Sequence, residues 1–194
     1  MYEIDILRKD IMNASENSQF TAKGWQPIFQ APPTARILIA SQAPGLKAQE
    51  SNKTFYDVSG DTLRTWLGVD EEIFYDSGMF GIVPMDYYFP GKAKHGDLPP
   101  RKDFANKWNP KVLATMPDLE LKIIIGAYAQ KFYFGKSAKK NLTETVRHYE
   151  EYLPEYFPLV HPSPLTIGWR RRNPWFEESV VPELQRRVQE ILNK

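Results

Sequence analysis

The sequence predicts an α/β protein, a parallel α/β sandwich. Four short apolar runs alternate with segments whose apolar residues recur at helical spacing, and each run ends in a polar or glycine-containing loop. Strands that alternate with helices favour a parallel sheet that is covered by helices. The length of 194 residues suits one domain with a full core. We therefore expect residues 1–194 to form a single domain.

The four apolar runs are the candidate strands. They cover residues 35–40, 81–85, 121–125 and 157–160. The first and third runs are rich in β-branched residues and lack clean alternation, which is typical of strands buried on both faces. Pro84 and Pro158 predict that the second and fourth strands are short or lie at a sheet edge, because proline donates no hydrogen bond to a neighbouring strand.

The candidate helices lie between and beside these runs. Asn141, followed three residues later by Glu144, has the pattern of a capping box and predicts a helix start. Residues 91–101 contain prolines, glycines and His95, and we expect them to form a mobile loop. Helical spacing is found in four sets of apolar residues: Ile4, Leu7 and Ile11; Leu63, Trp66 and Leu67; Phe104, Trp108, Val112 and Leu113; Val180, Val181, Leu184, Val188 and Ile191.

Composition excludes several classes of protein. The chain has no cysteine, so disulfide scaffolds, Cys-ligated zinc, iron–sulfur clusters and thiol catalysis are excluded. The 25 basic and 24 acidic residues leave a net charge of +1, which does not predict a strongly basic protein but permits a local basic face. The first residues are too charged for a signal peptide, and no apolar run approaches the ~18 residues of a membrane span. We expect a soluble, cytoplasmic monomer.

Two loops in the first third of the chain contain candidate site residues. Ser41-Gln42-Ala43-Pro44-Gly45 follows the first candidate strand, and it is either a simple strand-to-helix turn or a loop that presents polar groups at the open edge of the sheet. It lacks the glycines and the Lys-Ser/Thr pair of a phosphate-binding loop. In the second loop Phe55 precedes Asp57, and this pair is either a stacking surface beside an acid or a core residue beside a turn.

The strongest local signal follows the fourth candidate strand. In His161-Pro162-Ser163-Pro164-Leu165 two prolines stiffen the backbone and fix His161 at the strand end. An imidazole there can donate a hydrogen bond to a developing oxyanion, or it can be a buried structural histidine. An exposed Leu165 could wedge between bases. Trp169, Arg170, Arg171 and Arg172 follow, and they suit either phosphate binding or a solvated basic turn.

These motifs together resemble the uracil-DNA glycosylase superfamily. SQAPG after the first strand and HPSPL after the last strand stand in the order found there. Between them, TFYDVSGDTLRTWL resembles the segment that carries the base-stacking phenylalanine, and IIIGAYAQKF resembles the third-strand region. The resemblance spans roughly residues 35–190.

The resemblance implies a fold, a reaction and a partner. The fold is a three-layer sandwich with a central four-stranded parallel sheet between helices. The reaction is that of a DNA glycosylase of base-excision repair, which flips uracil or another deaminated base out of DNA and hydrolyses its N-glycosidic bond without a metal or cofactor. The partner is therefore DNA containing a damaged base.

The resemblance also implies roles for individual residues. Gln42 and Asp57 handle the attacking water, and His161 stabilises the leaving base. The base is bound by Ala43, Pro44, Gly45 and Phe55, with Phe55 stacking on it. The DNA is contacted by Ser163, Leu165, Arg170, Arg171 and Arg172.

The sequence departs from the superfamily pattern at several of these positions. Gln42 and Ala43 stand where many members have an acid or asparagine, and glutamine can orient water but is no base at neutral pH. Gly45 replaces a tyrosine that blocks the methyl group of thymine in the most uracil-selective branch, which predicts a pocket open to larger bases. Residues 81–83 are Gly-Ile-Val, without the asparagine that reads uracil, and only Asp86 and Tyr87 follow as polar groups. The four-cysteine cluster of several branches is absent.

Two other functions remain open from the sequence. The missing acid in SQAPG and the missing asparagine suit a non-catalytic member of the same fold that binds nucleic acid or a free nucleobase. An unrelated α/β hydrolase acting on a small nucleoside is the third hypothesis, and it would need an acid–base pair that the sequence does not identify.

Overall fold

The computed structural model describes residues 3–194 and has a four-stranded parallel sheet at its centre. Its strands are β1 (Ile37–Ala40), β2 (Phe80–Ile82), β3 (Leu121–Ile125) and β4 (Tyr156–Leu159). They lie in the order β2-β1-β3-β4, and every neighbouring pair is parallel. Each strand overlaps one of the predicted apolar runs, so the prediction of a parallel α/β sandwich is confirmed.

The two prolines have the effect on the sheet that the sequence predicts. β2 ends at Ile82, before Pro84, and it lies at one edge of the sheet. β4 contains Pro158 and lies at the other edge, where it pairs only with β3. An edge strand tolerates proline because one side of its backbone has no neighbour to bond with. The two strands between them are buried along almost their whole length.

Helices cover both faces of the sheet. In chain order they are α1 (Glu3–Asn13), α2 (Ser18–Thr21), α3 (Leu46–Ser51), α4 (Val58–Leu67), α5 (Glu71–Asp76), α6 (Phe104–Leu113), α7 (Gly126–Phe134), α8 (Leu142–Arg147), α9 (Ile167–Arg172) and α10 (Val181–Leu192). Short 3-10 turns and one π-helical turn, Phe176–Val180, connect some of them. None of the helices within residues 3–194 is long and apolar enough to cross a membrane.

Alternate residues of β1 pack into different cores, which gives the molecule three layers. Ile37 and Ile39 belong to a core with residues of α4, α5, α8 and α10. Leu38 belongs to a second core, on the opposite face, with residues of α1 and α6. Successive side chains of a strand point to opposite faces, so a sheet covered on both sides must bury all of them. The three-layer sandwich is therefore confirmed.

Side-chain caps set where two of these helices begin. The Asn141 side chain accepts a hydrogen bond from the backbone N–H of Glu144 at 2.9 Å, which confirms the predicted start of α8. Asp57 caps α4 in the same way through the N–H of Gly60, at 3.0 Å. As the N-cap of α4, Asp57 lies at the carboxyl-terminal edge of the sheet, where the candidate site is found.

Candidate active site

A cavity of about 140 Å³ lies at the carboxyl ends of the strands. Ser41 follows β1, Ile82 ends β2 and His161 follows β4, and all three line this cavity. From β1 the chain moves first to β2 on one side and then to β3 on the other, which makes this edge a topological switch point. Ligands of open α/β sheets bind at such points.

The loop after β1 forms one wall of the cavity. Ala43, Pro44 and Gly45 line it, and the loop is held to the chain beyond β2 by the Met85 N–H, which donates to the Ser41 carbonyl at 2.7 Å. A Cβ atom on Gly45 would lie 3.6 Å from Oδ2 of Asp57. The absence of a side chain at Gly45 therefore leaves that carboxylate oxygen uncovered on this side.

Phe55 forms a second wall, and its backbone is held in an unusual conformation. Its φ of 50° lies in the left-handed region, which bulky residues rarely adopt. The Tyr75 hydroxyl donates to the carbonyls of Thr54 and Phe55, at 2.7 and 3.2 Å. Burial raises the pKa of Tyr75 to about 12, so this hydroxyl keeps its proton near neutral pH. These contacts fix the Phe55 ring at the cavity wall.

Asp57 is placed to act in the cavity as well as to cap α4. Its Oδ1 accepts the Gly60 N–H, while its Oδ2 is the atom that lies beside Gly45. An N-terminal helix position stabilises a negative charge through the helix dipole. One carboxylate oxygen is thus used by the fold, and the other can accept a hydrogen bond from a bound molecule.

His161 lines the same cavity. Burial lowers the pKa of its imidazole below the ordinary value of 6.5, while the nearby Asp57 and Asp97 act in the opposite direction. The net direction favours the neutral ring at pH 7. Its buried Nδ1 atom has no hydrogen-bond partner among residues 3–194. A neutral imidazole in this place can donate one hydrogen bond to a ligand atom.

The loop that carries His161 is braced locally. The Thr166 hydroxyl donates to the His161 carbonyl at 3.0 Å and to the Ser163 carbonyl at 2.7 Å. The Ser163 hydroxyl accepts the Leu165 N–H at 3.2 Å, which starts the 3-10 turn before α9. Ser163 also lines the cavity. The histidine loop and the first loop, more than 100 residues apart in the sequence, thus meet at one site.

The family model of the uracil DNA glycosylase superfamily matches residues 28–185. The match includes all four strands and every segment that lines the cavity. The chain belongs to the uracil-DNA glycosylase superfamily. This membership confirms the resemblance, and it excludes the hypothesis of an unrelated α/β hydrolase.

Gln42 lies differently from the other residues that the superfamily motif suggested. Its side-chain nitrogen donates to the Leu98 carbonyl at 3.1 Å, and Gln42 is not among the residues that line the cavity. Ala43, Pro44, Gly45, Phe55, Asp57, His161 and Ser163 all line it. Most of the proposed catalytic and base-binding residues are therefore brought together, with Gln42 beside them.

The sequence did not single out Asp97 and Thr54, which, like Ser41 and Ser59, line the cavity with polar groups. Asp97 lies in the segment 91–101 and accepts an ion pair from Lys92 at 2.6 Å. Thr54 is only 7% exposed, and its hydroxyl oxygen has no hydrogen-bond partner among the described residues. The dipeptide Gly-Asp at 96–97 in a loop and a threonine directly before the candidate stacking residue were the available signals, and both are weak.

The proposed DNA-contacting residues differ in their surroundings. Leu165 is 81% exposed at the tip of the histidine loop. Arg171 and Arg172 are exposed in the last turn of α9. Arg170 instead forms an ion pair with Glu177 at 2.9 Å and lies over the ring of Trp66. Leu165, Arg171 and Arg172 are available to a ligand. Arg170 instead contacts Glu177 and Trp66.

Proposed function

We propose that this protein is a DNA glycosylase of base-excision repair, which hydrolyses the N-glycosidic bond of uracil or another deaminated base flipped out of DNA. The observation that carries the proposal is the convergence of Phe55, Asp57 and His161 on one cavity. Membership in the superfamily supports a glycosylase-type hydrolase. The substrate and the roles given below are our proposal.

The cavity suits a single flipped base. Its volume of about 140 Å³ is close to the roughly 150 Å³ of an engineered protein cavity that takes up benzene. Flipping costs a few kcal/mol, and the cost is smallest for a mispaired base. Stacking on Phe55 offsets part of it, since stacking of a base on an aromatic side chain contributes about 1–3 kcal/mol.

The chemistry divides between the two sides of the cavity. When the bond from C1′ to the base nitrogen breaks, its electron pair goes to the base and positive charge develops on the sugar. The His161 imidazole donates a hydrogen bond to the developing base anion. The Asp57 carboxylate stabilises the sugar cation and accepts a hydrogen bond from the water whose oxygen bonds to C1′. The proton released by that water passes to Asp57 or to solvent.

Gln42 has a smaller part in this scheme. Its side-chain nitrogen donates a hydrogen bond to the Leu98 carbonyl and the residue lies outside the cavity lining, so we assign Gln42 to holding the neighbouring loop in place rather than to the attacking water. An amide can orient water but cannot take its proton at neutral pH. Asp57 is therefore the residue on which the hydrolysis depends most.

The exposed residues around the cavity suit a DNA backbone. Leu165 would fill the gap that the flipped base leaves in the stack, as apolar wedges do in kinked DNA. Ser163, Arg171 and Arg172 would contact phosphates, and Arg170 would support them from its ion pair with Glu177.

The test is an excision assay on oligonucleotides, single- and double-stranded, that contain uracil, hypoxanthine or xanthine. Wild-type protein should produce abasic sites from at least one of them. Asp57→Asn should lose most of this activity and remain folded, because asparagine caps a helix about as well as aspartate does. Asp118→Asn, an exposed carboxylate ahead of β3, is the matched control. An absence of abasic product from every substrate would overturn the proposal.

A non-catalytic binding role is the second candidate. The observations that favour it are the Gln42 side chain, which is held outside the cavity lining by Leu98, and the apolar Gly-Ile-Val at 81–83. This role predicts equal binding of damaged DNA by the wild type and by Asp57→Asn, with no turnover in either.

A further inference from the structure

The wall of the cavity next to β2 offers no free polar side chain for reading a base. Asp86 is fully buried and forms a two-pronged ion pair with Arg101, with both nitrogen–oxygen distances at 2.8 Å. The Tyr87 hydroxyl donates to Asn109 at 2.8 Å. The side chains of Asp86 and Tyr87, the two polar residues that follow residues 81–83, are therefore occupied by contacts within the protein. A specific base must be read by other groups.

Asp97 is a carboxylate that faces the cavity from a third direction. Its segment forms a small hairpin, closed by the Leu98 N–H to the Gly91 carbonyl at 2.9 Å. The hairpin is held from outside by Gln42, which donates to the Leu98 carbonyl at 3.1 Å. Asp97 Oδ1 pairs with Lys92, and its side chain is 29% exposed. Lys92 and the Gln42 contact to the hairpin thus hold Asp97 in place, and its Oδ2 atom is available to accept a hydrogen bond from a ligand.

Thr54 supplies the complementary group. Thr54 lines the same cavity, and its buried hydroxyl has no hydrogen-bond partner within the part of the chain that the structure describes. A buried hydroxyl without a hydrogen bond destabilises the fold, so native proteins rarely leave one unless a ligand or water satisfies it. This hydroxyl can donate to a carbonyl oxygen of a bound molecule.

We propose that Asp97 and Thr54 read the pairing edge of the flipped base, Asp97 by accepting a ring N–H and Thr54 by donating to the carbonyl beside it. This inference rests on the proposed function and names its substrate class. That class is single-ring bases with an N–H next to a carbonyl, which are uracil and its 5-substituted forms. The roughly 140 Å³ of the cavity suits one six-membered ring better than a purine.

The chemistry of deamination explains why a carboxylate selects this class. Cytosine presents a ring nitrogen with a lone pair at the position where uracil presents N3–H. A carboxylate accepts a hydrogen bond from the N3–H of uracil and is repelled by the lone pair of cytosine. Because cytosine would leave polar groups unpaired in a closed site, the site discriminates strongly against it. The ion pair with Lys92 reduces the effect of the Asp97 charge on the leaving base.

Binding of free bases tests the proposal separately from catalysis. Uracil and 3-methyluracil are titrated by calorimetry into the wild type, Asp97→Ala, Asp97→Asn and the control Asp118→Ala. Asp97→Ala should bind uracil about tenfold more weakly, whereas Asp97→Asn, which keeps an acceptor oxygen, should recover part of the affinity. The wild type should reject 3-methyluracil, which has no N3–H. Asp118→Ala should match the wild type.

Thr54 is tested by two substitutions of similar size. Thr54→Val removes the hydroxyl and should weaken uracil binding, while Thr54→Ser keeps the hydroxyl and should preserve it. Melting temperatures identify any variant that fails to fold. Equal uracil affinity in wild type, Asp97→Ala and Thr54→Val would overturn the inference.

Excision assays with the same variants separate this inference from the proposed function. Undiminished uracil excision by Asp97→Ala overturns the base-reading role and leaves the glycosylase proposal intact. Uracil binding that depends on Asp97, in a protein that excises no base, supports the reading role and overturns the proposed activity.

Discussion

Gly60 lies directly against the backbone of Phe55. A Cβ atom on Gly60 would be 1.7 Å from the Phe55 carbonyl oxygen, closer than any two such atoms can approach. Only glycine therefore fits in the first turn of α4 while Phe55 keeps its left-handed backbone. The position of the Phe55 ring therefore depends on Gly60, which does not itself line the cavity.

Gly60→Ala is expected to displace Phe55 and to lower both stability and excision. The added methyl group meets backbone rather than a flexible side chain, so we expect a loss of about 1–3 kcal/mol in the free energy of unfolding. Chemical denaturation and single-turnover excision measure the two effects. Gly168→Ala is the control, because a Cβ there lies 3.6 Å from the flexible end of Arg172. Equal stability of Gly60→Ala and wild type would contradict this account.

Arg171 and Arg172 are expected to contribute to DNA affinity independently of sequence. Replacing either with alanine should weaken binding to all sequences and lower the slope of log affinity against log salt by about one. The measurement is a binding titration at several salt concentrations. Arg186→Ala, on α10 and ion-paired to Glu183, should leave the slope unchanged. If both α9 variants have the same slope of log affinity against log salt as the wild type, Arg171 and Arg172 do not contact phosphates.

The elements of the sheet could be predicted because they depend on local signals. The four apolar runs, the prolines at the edges and the Asn141 cap each involve neighbouring residues. The meeting of SQAPG with HPSPL could also be inferred, because the carboxyl ends of parallel strands share one edge. Each of these two loops directly follows a strand of the parallel sheet. Its place in the sequence, after a predicted strand, therefore indicates that it lies at the shared edge.

The positions of Asp97 and Gln42 could not be predicted, because they depend on contacts between distant segments. Residues 91–101 have no periodic pattern, and their path is set by the pairing of Arg101 with Asp86 and by the bond from Gln42 to Leu98. Within this segment, which the sequence predicts to be a mobile loop, residues 91–98 form a hydrogen-bonded hairpin, and its Asp97 lines the cavity. Pattern analysis assigns residues to elements but does not orient loop side chains.

Leu165→Ala is expected to impair excision from duplex DNA more than from single strands. The side chain is exposed, so its removal should change the free energy of unfolding by less than about 0.5 kcal/mol. On the proposed function, Leu165 would fill the gap that a flipped base leaves in the stacked duplex, whereas a single strand has no such stacked gap to fill. Parallel assays on matched single- and double-stranded substrates measure the ratio. Ile6→Ala, another exposed apolar residue, is the control.

His161 is expected to titrate below its ordinary pKa of 6.5, because burial disfavours the charged ring. NMR titration of the His161 ring measures this pKa. Asp57→Asn should lower the pKa of His161 further, since it removes a negative charge that raises it. An unchanged pKa would place the two groups too far apart to interact.

The same shift predicts a dependence of stability on pH. The unfolded chain binds a proton at His161 near pH 6.5, whereas the native chain binds it only at lower pH. The free energy of unfolding should therefore fall as the pH falls from about 6.5 through the native pKa of His161. His161→Gln should remove this part of the dependence, which denaturation at pH 7.5 and pH 5 would measure.

Asp86→Asn is expected to destabilise the fold and to loosen the hairpin that carries Asp97. Asp86 is completely buried and accepts three hydrogen bonds from Arg101, including one from its backbone. Breaking a buried ion pair on one side costs about 3 kcal/mol. Denaturation measures the loss, and a rise in KM for excision measures the displaced hairpin. Asp103→Asn, in the neighbouring exposed turn, is the control.

The residues that line the cavity are spread along the chain from Ile28 to Ser163, so a ligand can occupy the cavity only while the whole sheet is assembled. Occupancy and global unfolding are then linked equilibria, and a bound base must raise the melting temperature with its concentration. A thermal-shift screen of free bases would therefore rank the bases that the cavity binds by the rise in melting temperature, without DNA in the sample.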